Sequence, residues 1–399
     1  MKKKILIFGY LPKDKGGKQE TGLATGIFDL HNAIAGLETD YDILFASTDI
    51  STTSTISNLK VTGWNKSNLL KWMLKNPFKF LVLAYRAFYL KLFFRQPFSR
   101  GVGYFLFFQS LTDSFNPDII HFHGARWGLY GNYVFGGKSK KVLRIHGMNG
   151  YDENIDDYLS FRKIEKFLFT KSTYQLITFV ATDVMNDFQI KYGNPVCRAV
   201  SILNGYNQEV FYFDDNIVKD VSFIKLLTFS TVYSRKGQLN VMKAIVKANL
   251  TKQITYTCIG NADAAYLKEI VKLSAENDVK FDHISYLPQN QLKDYIGKAD
   301  FMILPSTSEG FGKVYIESIA CGTPVMLPAE LPLAKEPGIL NQTNAIVLKD
   351  GSVEEIANVL ERIGERKFDR SEVASSVIQL QWDNLALKYV GEYDRLMYN

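Results

Sequence analysis

A chain of 399 residues is long for one hydrophobic core, so two domains are expected, and 46% hydrophobic with 22% charged residues excludes a disordered or low-complexity protein. The three cysteines, Cys197, Cys258 and Cys321, are scattered and odd in number, which argues against a disulfide framework or a cysteine zinc site and for a reducing, cytoplasmic compartment. The net charge of +6 is confined: between Ile50 and Thr112 there is no Asp or Glu but nine Lys and Arg, so the rest of the chain is net acidic. A nucleic-acid protein would spread its positive charge along a groove, and no nucleic-acid partner is expected.

The chain starts with an apolar run, Lys4 to Tyr10, too short for a signal-peptide core and read as a first strand. A loop containing Gly16 and Gly17 follows, then helical periodicity from Gly22 to Ala35 and a second strand from Tyr41 to Ala46. Strand, glycine loop and helix open a doubly wound α/β domain. Residues 60–110 interleave lysines and arginines with Trp64, Trp72, Phe78, Phe88, Phe93 and many leucines. That composition predicts a surface facing anionic lipid, and the longest uncharged stretch, Gly101 to Thr112, is too short to span a bilayer. The competing expectation is an amphipathic helix pair packed on the sheet with its lysines in water.

Strands are predicted at Pro117–Phe122, leading to His121-Phe-His123-Gly124, and at Val142–Ile145, leading to His146-Gly147. Histidines at strand ends lie where open α/β sheets bind ligands, although capping the strands is an alternative role. A metal site would need a carboxylate or further ligands, and none is expected. His123 is preferred to His121 on the expectation that alternation turns the two to opposite faces; His146 is the second candidate. Helices are expected at Tyr158–Phe169 and Asp183–Lys191, and strands at Gln175–Val180 and Arg198–Leu203. Asn204-Gly205-Tyr206-Asn207 and the polar Asp214-Asp215-Asn216 then mark a change of domain.

Phe223–Phe229 opens a second set of α/β units, followed by Ser230 to Gly237, which includes Arg235 and Lys236, and a helix to Asn249. Further strands are predicted at Thr255–Gly260 and Ile284–Leu287, with a final helix from Trp382 to Met397. The densest stretch is 301–327. It reads as a buried strand from Phe301 to Leu304, a permissive loop through Glu309, Gly310, Phe311 and Gly312, a helix from Val314 to Cys321, and a strand from Val325 to Leu327. A helix start beside glycines is an anion site, and Lys313 adds charge there. Glu309 and Glu317 would sit oddly beside a phosphate unless they accept from hydroxyls of a ribose or a sugar. An ordinary βαβ unit with solvated glutamates is the competing reading.

This stretch resembles the donor-site signature of the family 4 retaining glycosyltransferases, which have the GT-B fold. Pro305, Ser306, Glu309, Gly310, Phe311, Gly312, Glu317, Ala320, Gly322, Thr323, Pro324 and Val325 fill the pattern, with Ser318 where alanine is usual. Lys236 and Gly237 match the family's Lys-Gly pair, whereas Thr231 stands where an arginine is usual, leaving Arg235 as a conjectured replacement. The resemblance implies two Rossmann-like α/β domains facing an interdomain cleft. Residues 1–205 would bind the acceptor, 206–384 the nucleotide-sugar donor, and 385–399 would form a helix crossing back. It implies catalytic roles for Glu309, His123 and Lys236, with donor contacts from Glu317, Gly310, Phe311, Gly312, Lys313, Val314, Arg235, Gly16, Gly17 and His146. The implied activity is retaining sugar transfer from a nucleotide-diphosphate sugar, without a metal or other cofactor. The basic aromatic segment points to a lipid-linked glycan acceptor in bacterial surface polysaccharide synthesis, and to a peripheral position on the inner face of the cell membrane. A sugar phosphorylase or nucleotide-sugar epimerase of the same shape, and a non-catalytic membrane partner of another glycosyltransferase, are the rival readings.

Overall fold

The computed structural model describes residues 2–398 other than Asn154 and Asp220. The chain divides into two compact units, Met1–Leu203 with Asp383–Asn399, and Asn204–Trp382.

The first unit is built on eight strands: β1 (Lys3–Phe8), β2 (Tyr41–Ser47), β3 (Ser54–Ile56), β4 (Leu59–Gly63), β5 (Ile119–His123), β6 (Lys140–Ile145), β7 (Leu176–Phe179) and β8 (Arg198–Ser201). Their spatial order is β3-β4-β2-β1-β5-β6-β7-β8, and all neighbours are parallel except the β3–β4 pair. Ile5 to Phe8 are fully buried, as a continuous apolar run predicts for a central strand covered on both faces. The edge strand β3 and its neighbour β4 escaped sequence reading, β3 because Ser54-Thr55-Ile56 is short and polar.

Residues 66–115 form three helices rather than a pair: Lys66–Lys75, Pro77–Phe94 and Phe98–Phe115. The third buries Phe105, Phe107 and Phe108, and the Phe108 ring lies 4.5 Å from that of Phe8 on the sheet. The second buries only Leu83, Ala87, Leu90 and Phe94. Phe78 is 85% exposed, and Leu74, Leu81, Tyr85, Leu92 and Phe93 are exposed beside Lys71, Lys75, Lys91 and Arg95. Two cations of this segment serve the fold instead: Lys79 pairs with Asp113 at 2.8 Å, and Arg86 donates to the Tyr133 carbonyl.

The helix Trp382–Tyr398 completes the first unit. Its Tyr389 and Tyr393 are fully buried. The Tyr389 hydroxyl accepts from Arg144 and lies 2.8 Å from Thr178 Oγ1, while Tyr393 bonds His121 at 2.7 Å. Tyr41 donates to Asp394, and Arg198 grips Glu392 through two bonds of 2.8 Å.

The second unit is a six-stranded parallel sheet: β9 (Ile224–Phe229), β10 (Ile254–Ile259), β11 (Lys280–Ile284), β12 (Phe301–Ile303), β13 (Val325–Pro328) and β14 (Ala345–Leu348), in the order β11-β10-β9-β12-β13-β14. β11 lies four residues before the predicted strand Ile284–Leu287. It is an edge strand with Lys280 and Asp282 exposed, so its polar alternation hid it behind the more apolar residues that follow.

Replacing a fully buried tyrosine of the last helix leaves a large cavity, so Tyr389→Ala is expected to lower stability by roughly 3–5 kcal/mol. Leu387→Ala, at a side chain 58% exposed, is expected to stay within about 0.5 kcal/mol of the wild type. Urea denaturation of the two variants measures the contrast, and equal losses would contradict the packing of this helix.

Candidate functional site

In both units the strand order reverses beside the first strand, between β1 and β5 in one and between β9 and β12 in the other. Crossovers leave to opposite faces there, which opens a crevice at the carboxyl ends of those strands. The residues singled out from sequence lie at these two places.

In the second unit, β9 runs into Ser230–Gly237 and β12 into Pro305–Gly312. The two loops are stitched together: Thr307 N–H and Ser306 Oγ both donate to the Arg235 carbonyl, at 2.9 and 3.3 Å. Gly237, at φ 74°, packs so closely that a Cβ would lie 2.5 Å from the Pro305 carbonyl oxygen. This close approach sets Lys236 Nζ 2.5 Å from Glu309 Oε1, with both side chains mostly buried. The helix Lys313–Ala320 starts after Gly312, at φ 84°, where a Cβ would strike the Tyr315 ring. Tyr315 in turn donates to the Leu304 carbonyl at 2.6 Å, tying the helix to the end of β12. One turn in, Lys313 and Glu317 pair at 2.5 Å, both nearly buried.

The structure therefore brings Lys236, Glu309, Gly310, Phe311, Gly312, Lys313, Val314 and Glu317 into one neighbourhood. Lys236 pairs with Glu309, and Lys313 pairs with Glu317 at the start of the helix, the end that carries the positive pole of its dipole. An anion of higher charge placed here would compete with the carboxylates for the lysines and would leave Glu309 and Glu317 able to accept hydrogen bonds. Arg235 turns its guanidinium onto the Tyr233 hydroxyl at 2.5 and 2.9 Å, on its own loop. Thr231 is exposed, and its carbonyl accepts from Gln238. Ser318, the departure from alanine, is fully buried and donates to the Thr323 carbonyl at 3.0 Å, which closes the turn after the helix.

In the first unit, His123 and His146 line a pocket of about 310 Å³ with Tyr10, Arg126, Trp127 and Phe161 among its other walls. His121 and His123 do not turn to opposite faces as expected. Residues two apart on a strand share a face, and the two rings stack at 4.5 Å. What distinguishes them is depth: His121 is held under the last helix by Tyr393, while His123 reaches the pocket. Gly16, at φ 85°, and Gly17 shape the turn after Pro12, where a Cβ on Gly17 would lie 1.9 Å from the Leu11 carbonyl oxygen. The fold accounts for both glycines without a ligand.

Sequence reading missed His31. It projects from the helix Gly22–Gly36, on the buried side with Ile27 and Ile34, and its Nε2 lies 2.7 Å from His123 Nε2. His123 Nδ1 lies 3.1 Å from His146 Nε2. A histidine on an otherwise apolar helix face was the available signal. Among the described residues, His31, His121 and His123 have ligand atoms within 4.8 Å of one another. Burial first, then Arg144, depresses His31 to about 3, and burial, followed by neighbouring histidines and Arg144, holds the other three well below the ordinary imidazole value. Glu165 fixes the loop after His146 by accepting from Asn149 N–H at 2.7 Å, Gly150 N–H at 3.1 Å and Tyr192 at 2.9 Å, and burial pushes its carboxyl up to about 7.

These shifts carry opposite signs. The unfolded chain protonates its histidines below about 6.5 and the fold does not, so that stability is full above 6.5 and is lost on acidification by about 1.4 kcal/mol per pH unit and group. At Glu165 the fold holds the extra proton between about 4.5 and 7, so its contribution is present at low pH and lost as pH rises through 7. The unfolding midpoint of the first unit is expected to fall between pH 7 and 5, and to fall more steeply in Glu165→Gln. A flat or rising midpoint over that range contradicts neutral histidines.

Residues 214–376 match the family Glycosyl transferases group 1. An uncharacterized glycosyltransferase of Methanocaldococcus jannaschii is 26% identical over 239 residues, covering 57% of this chain and 61% of that protein. A D-inositol 3-phosphate glycosyltransferase of Streptosporangium roseum is 26% identical over 161 residues, 38% of this chain and 36% of that protein. The chain thus spans less than two thirds of the length of these relatives. The Anabaena protein HepE, in complex with UDP and glucose, superposes with a TM-score of 0.73 at 14% identity, covering 98% of this chain and all of HepE. The protein is a two-domain α/β chain of the GT-B fold, and residues 214–376 of its second unit match the glycosyl transferases group 1 family.

Proposed function

We propose that the chain is a glycosyltransferase that moves a sugar from a nucleotide-diphosphate sugar to a hydroxyl of a glycan acceptor, with retention of configuration. The observation that carries this is the pair of ion pairs, Lys236–Glu309 and Lys313–Glu317, set around the start of the helix Lys313–Ala320. Phosphates replace the glutamates on the lysines, and Glu317 then accepts from the ribose hydroxyls and Glu309 from the sugar. As the bond from the anomeric carbon to the phosphate oxygen breaks, charge grows on the diphosphate, where Lys236 and the helix N–H groups stabilise it. The leaving phosphate oxygen takes the acceptor's proton while the acceptor oxygen bonds to the same face of the sugar. The lysines and backbone dipoles fill the role of a cation, and no divalent metal is needed.

The acceptor is proposed to be lipid-linked, as in bacterial surface polysaccharide synthesis, with the protein peripheral on the inner membrane face. The exposed apolar and basic side chains of Lys66–Lys75 and Pro77–Phe94 support this: rings and leucines suit the headgroup level, and each cation adds about 1 kcal/mol near anionic lipid. No helix among the described residues is long and apolar enough to cross a membrane.

UDP is the first ligand to test. At 100-fold over its Kd it adds about 2.7 kcal/mol and raises the unfolding midpoint by a few degrees. The shift is expected to survive EDTA and to vanish in Glu317→Ala, and turnover in Lys236→Ala is expected to fall about 100-fold or more. No shift with UDP, GDP or ADP, or turnover abolished by EDTA, would sink the reading. Vesicles rich in anionic lipid are expected to sediment the protein at low salt, and to release the variant Lys71→Glu/Lys75→Glu/Lys91→Glu; equal sedimentation of the two proteins would refute the membrane face.

A further inference from the structure

We infer that His31, His123 and His146 form a proton-ordered row in which His31 fixes the tautomer of His123, so that His146 presents an N–H donor to an oxygen of whatever occupies the pocket. The inference rests on the reading above only in naming that occupant, a sugar or its phosphate.

The row runs His31 Nε2 to His123 Nε2 at 2.7 Å and His123 Nδ1 to His146 Nε2 at 3.1 Å. His123 uses both ring nitrogens, and a neutral imidazole carries one proton, so it must donate through one and accept through the other. Only two orders satisfy this. In the first, His31 Nε2–H donates to His123, His123 Nδ1–H donates to His146, and the remaining nitrogen of His146, Nδ1, carries a proton. The second reverses every bond and places a proton on His31 Nδ1. That atom is buried without a partner. An orphaned N–H there would add partial positive charge to a neighbourhood that already holds Arg144, the register partner of His123 on β6, whose charge acts on His31, His123 and His146 alike. An orphaned lone pair beside a permanent cation is the smaller loss, which selects the first order. His121 lies outside the row. Its Nδ1 bonds Tyr393 and its Nε2 is buried without a partner.

The same three buried histidines, His31, His121 and His123, are close enough to invite a metal ion. Two nitrogens on a tetrahedral zinc at about 2.0–2.1 Å stand roughly 3.4 Å apart, whereas His31 and His123 approach to 2.7 Å, a hydrogen-bond separation. Arg144 adds a repelling charge. The row holds a proton instead. His31, deep in the fold, is thus a positioning residue that acts through His123.

Histidine-selective ¹⁵N labelling of the full chain reads the tautomers directly. His31 is expected as the Nε2–H form, with His123 and His146 as Nδ1–H forms. His31→Leu is expected to lose the single tautomer at His123 and to lower kcat/KM about tenfold, the worth of about one hydrogen bond. His31→Gln, whose amide N–H replaces the Nε2–H, is expected to restore the tautomer and most of the rate. The His121–Tyr393 bond reports that the unit stays folded in each variant, and the UDP-induced midpoint shift, which belongs to the second unit, is expected to be unchanged in both. Nε2–H forms of His123 or His146 in the wild type, or tautomers indifferent to His31→Leu, would overturn the inference. So would Zn²⁺ raising the midpoint of the wild type but not of His31→Leu. If no nucleotide sugar is turned over, the tautomers still decide the inference independently of the proposed activity.

Discussion

The constraint on which both halves of this molecule depend is the direction of a parallel sheet. Every crossover must carry the chain back to the same end, so all the strand-to-helix loops gather at the carboxyl edge. Where strand order reverses, adjacent crossovers leave on opposite faces and nothing fills the gap between them. In one unit that gap lies between β1 and β5, and in the other between β9 and β12. The chemistry is therefore set by what each chain segment places at its strand ends: histidines and aromatics in the first unit, lysines and glutamates in the second.

The second unit shows how four charged residues are kept mostly buried and in register. Gly237 lets the two loops approach until Lys236 meets Glu309, while helix spacing alone brings Lys313 onto Glu317. Without the glutamates, two mostly buried cations would face each other's field and the desolvation cost of an empty site. The carboxylates that would later accept from hydroxyls thus also hold the lysines in place beforehand. Under the proposed function, this double duty would account for acidic residues in a stretch that binds a diphosphate.

How much of this was legible follows from sequence separation. The 301–327 stretch could be read because its strand, glycine turn and helix are local, and its residues meet across a few positions. The Lys236–Glu309 pair spans 73 residues, and only the resemblance suggested that the two act together. His31 was invisible, since its partner lies 92 positions away and a histidine on an apolar helix face reads as core. His121 and His123 share a face because a strand has a period of two, and only the position of the last helix, which no local pattern reveals, separates their roles. Strand β11 was misplaced because an edge strand does not need the apolar run that identifies a central one.

The same separation governs how the first unit forms. Its buried Arg144 is covered by Tyr389, 245 residues later, and His121 is bonded to Tyr393, 272 residues later. Such contacts can form only after all of the second unit's sequence has been made, and closing so long a loop is slow relative to local folding. Until then Arg144, Thr178 and His121 lack the hydroxyls that satisfy them in the finished fold. A buried guanidinium with open donors is costly, so the sheet edge that carries the histidines stays solvated until the last helix docks. Docking then removes water from Arg144 and His121, and that burial is the main cause that holds the His121 imidazole well below its ordinary value. The final helix of the chain thus completes the floor beneath the strand ends that carry His121 and Arg144.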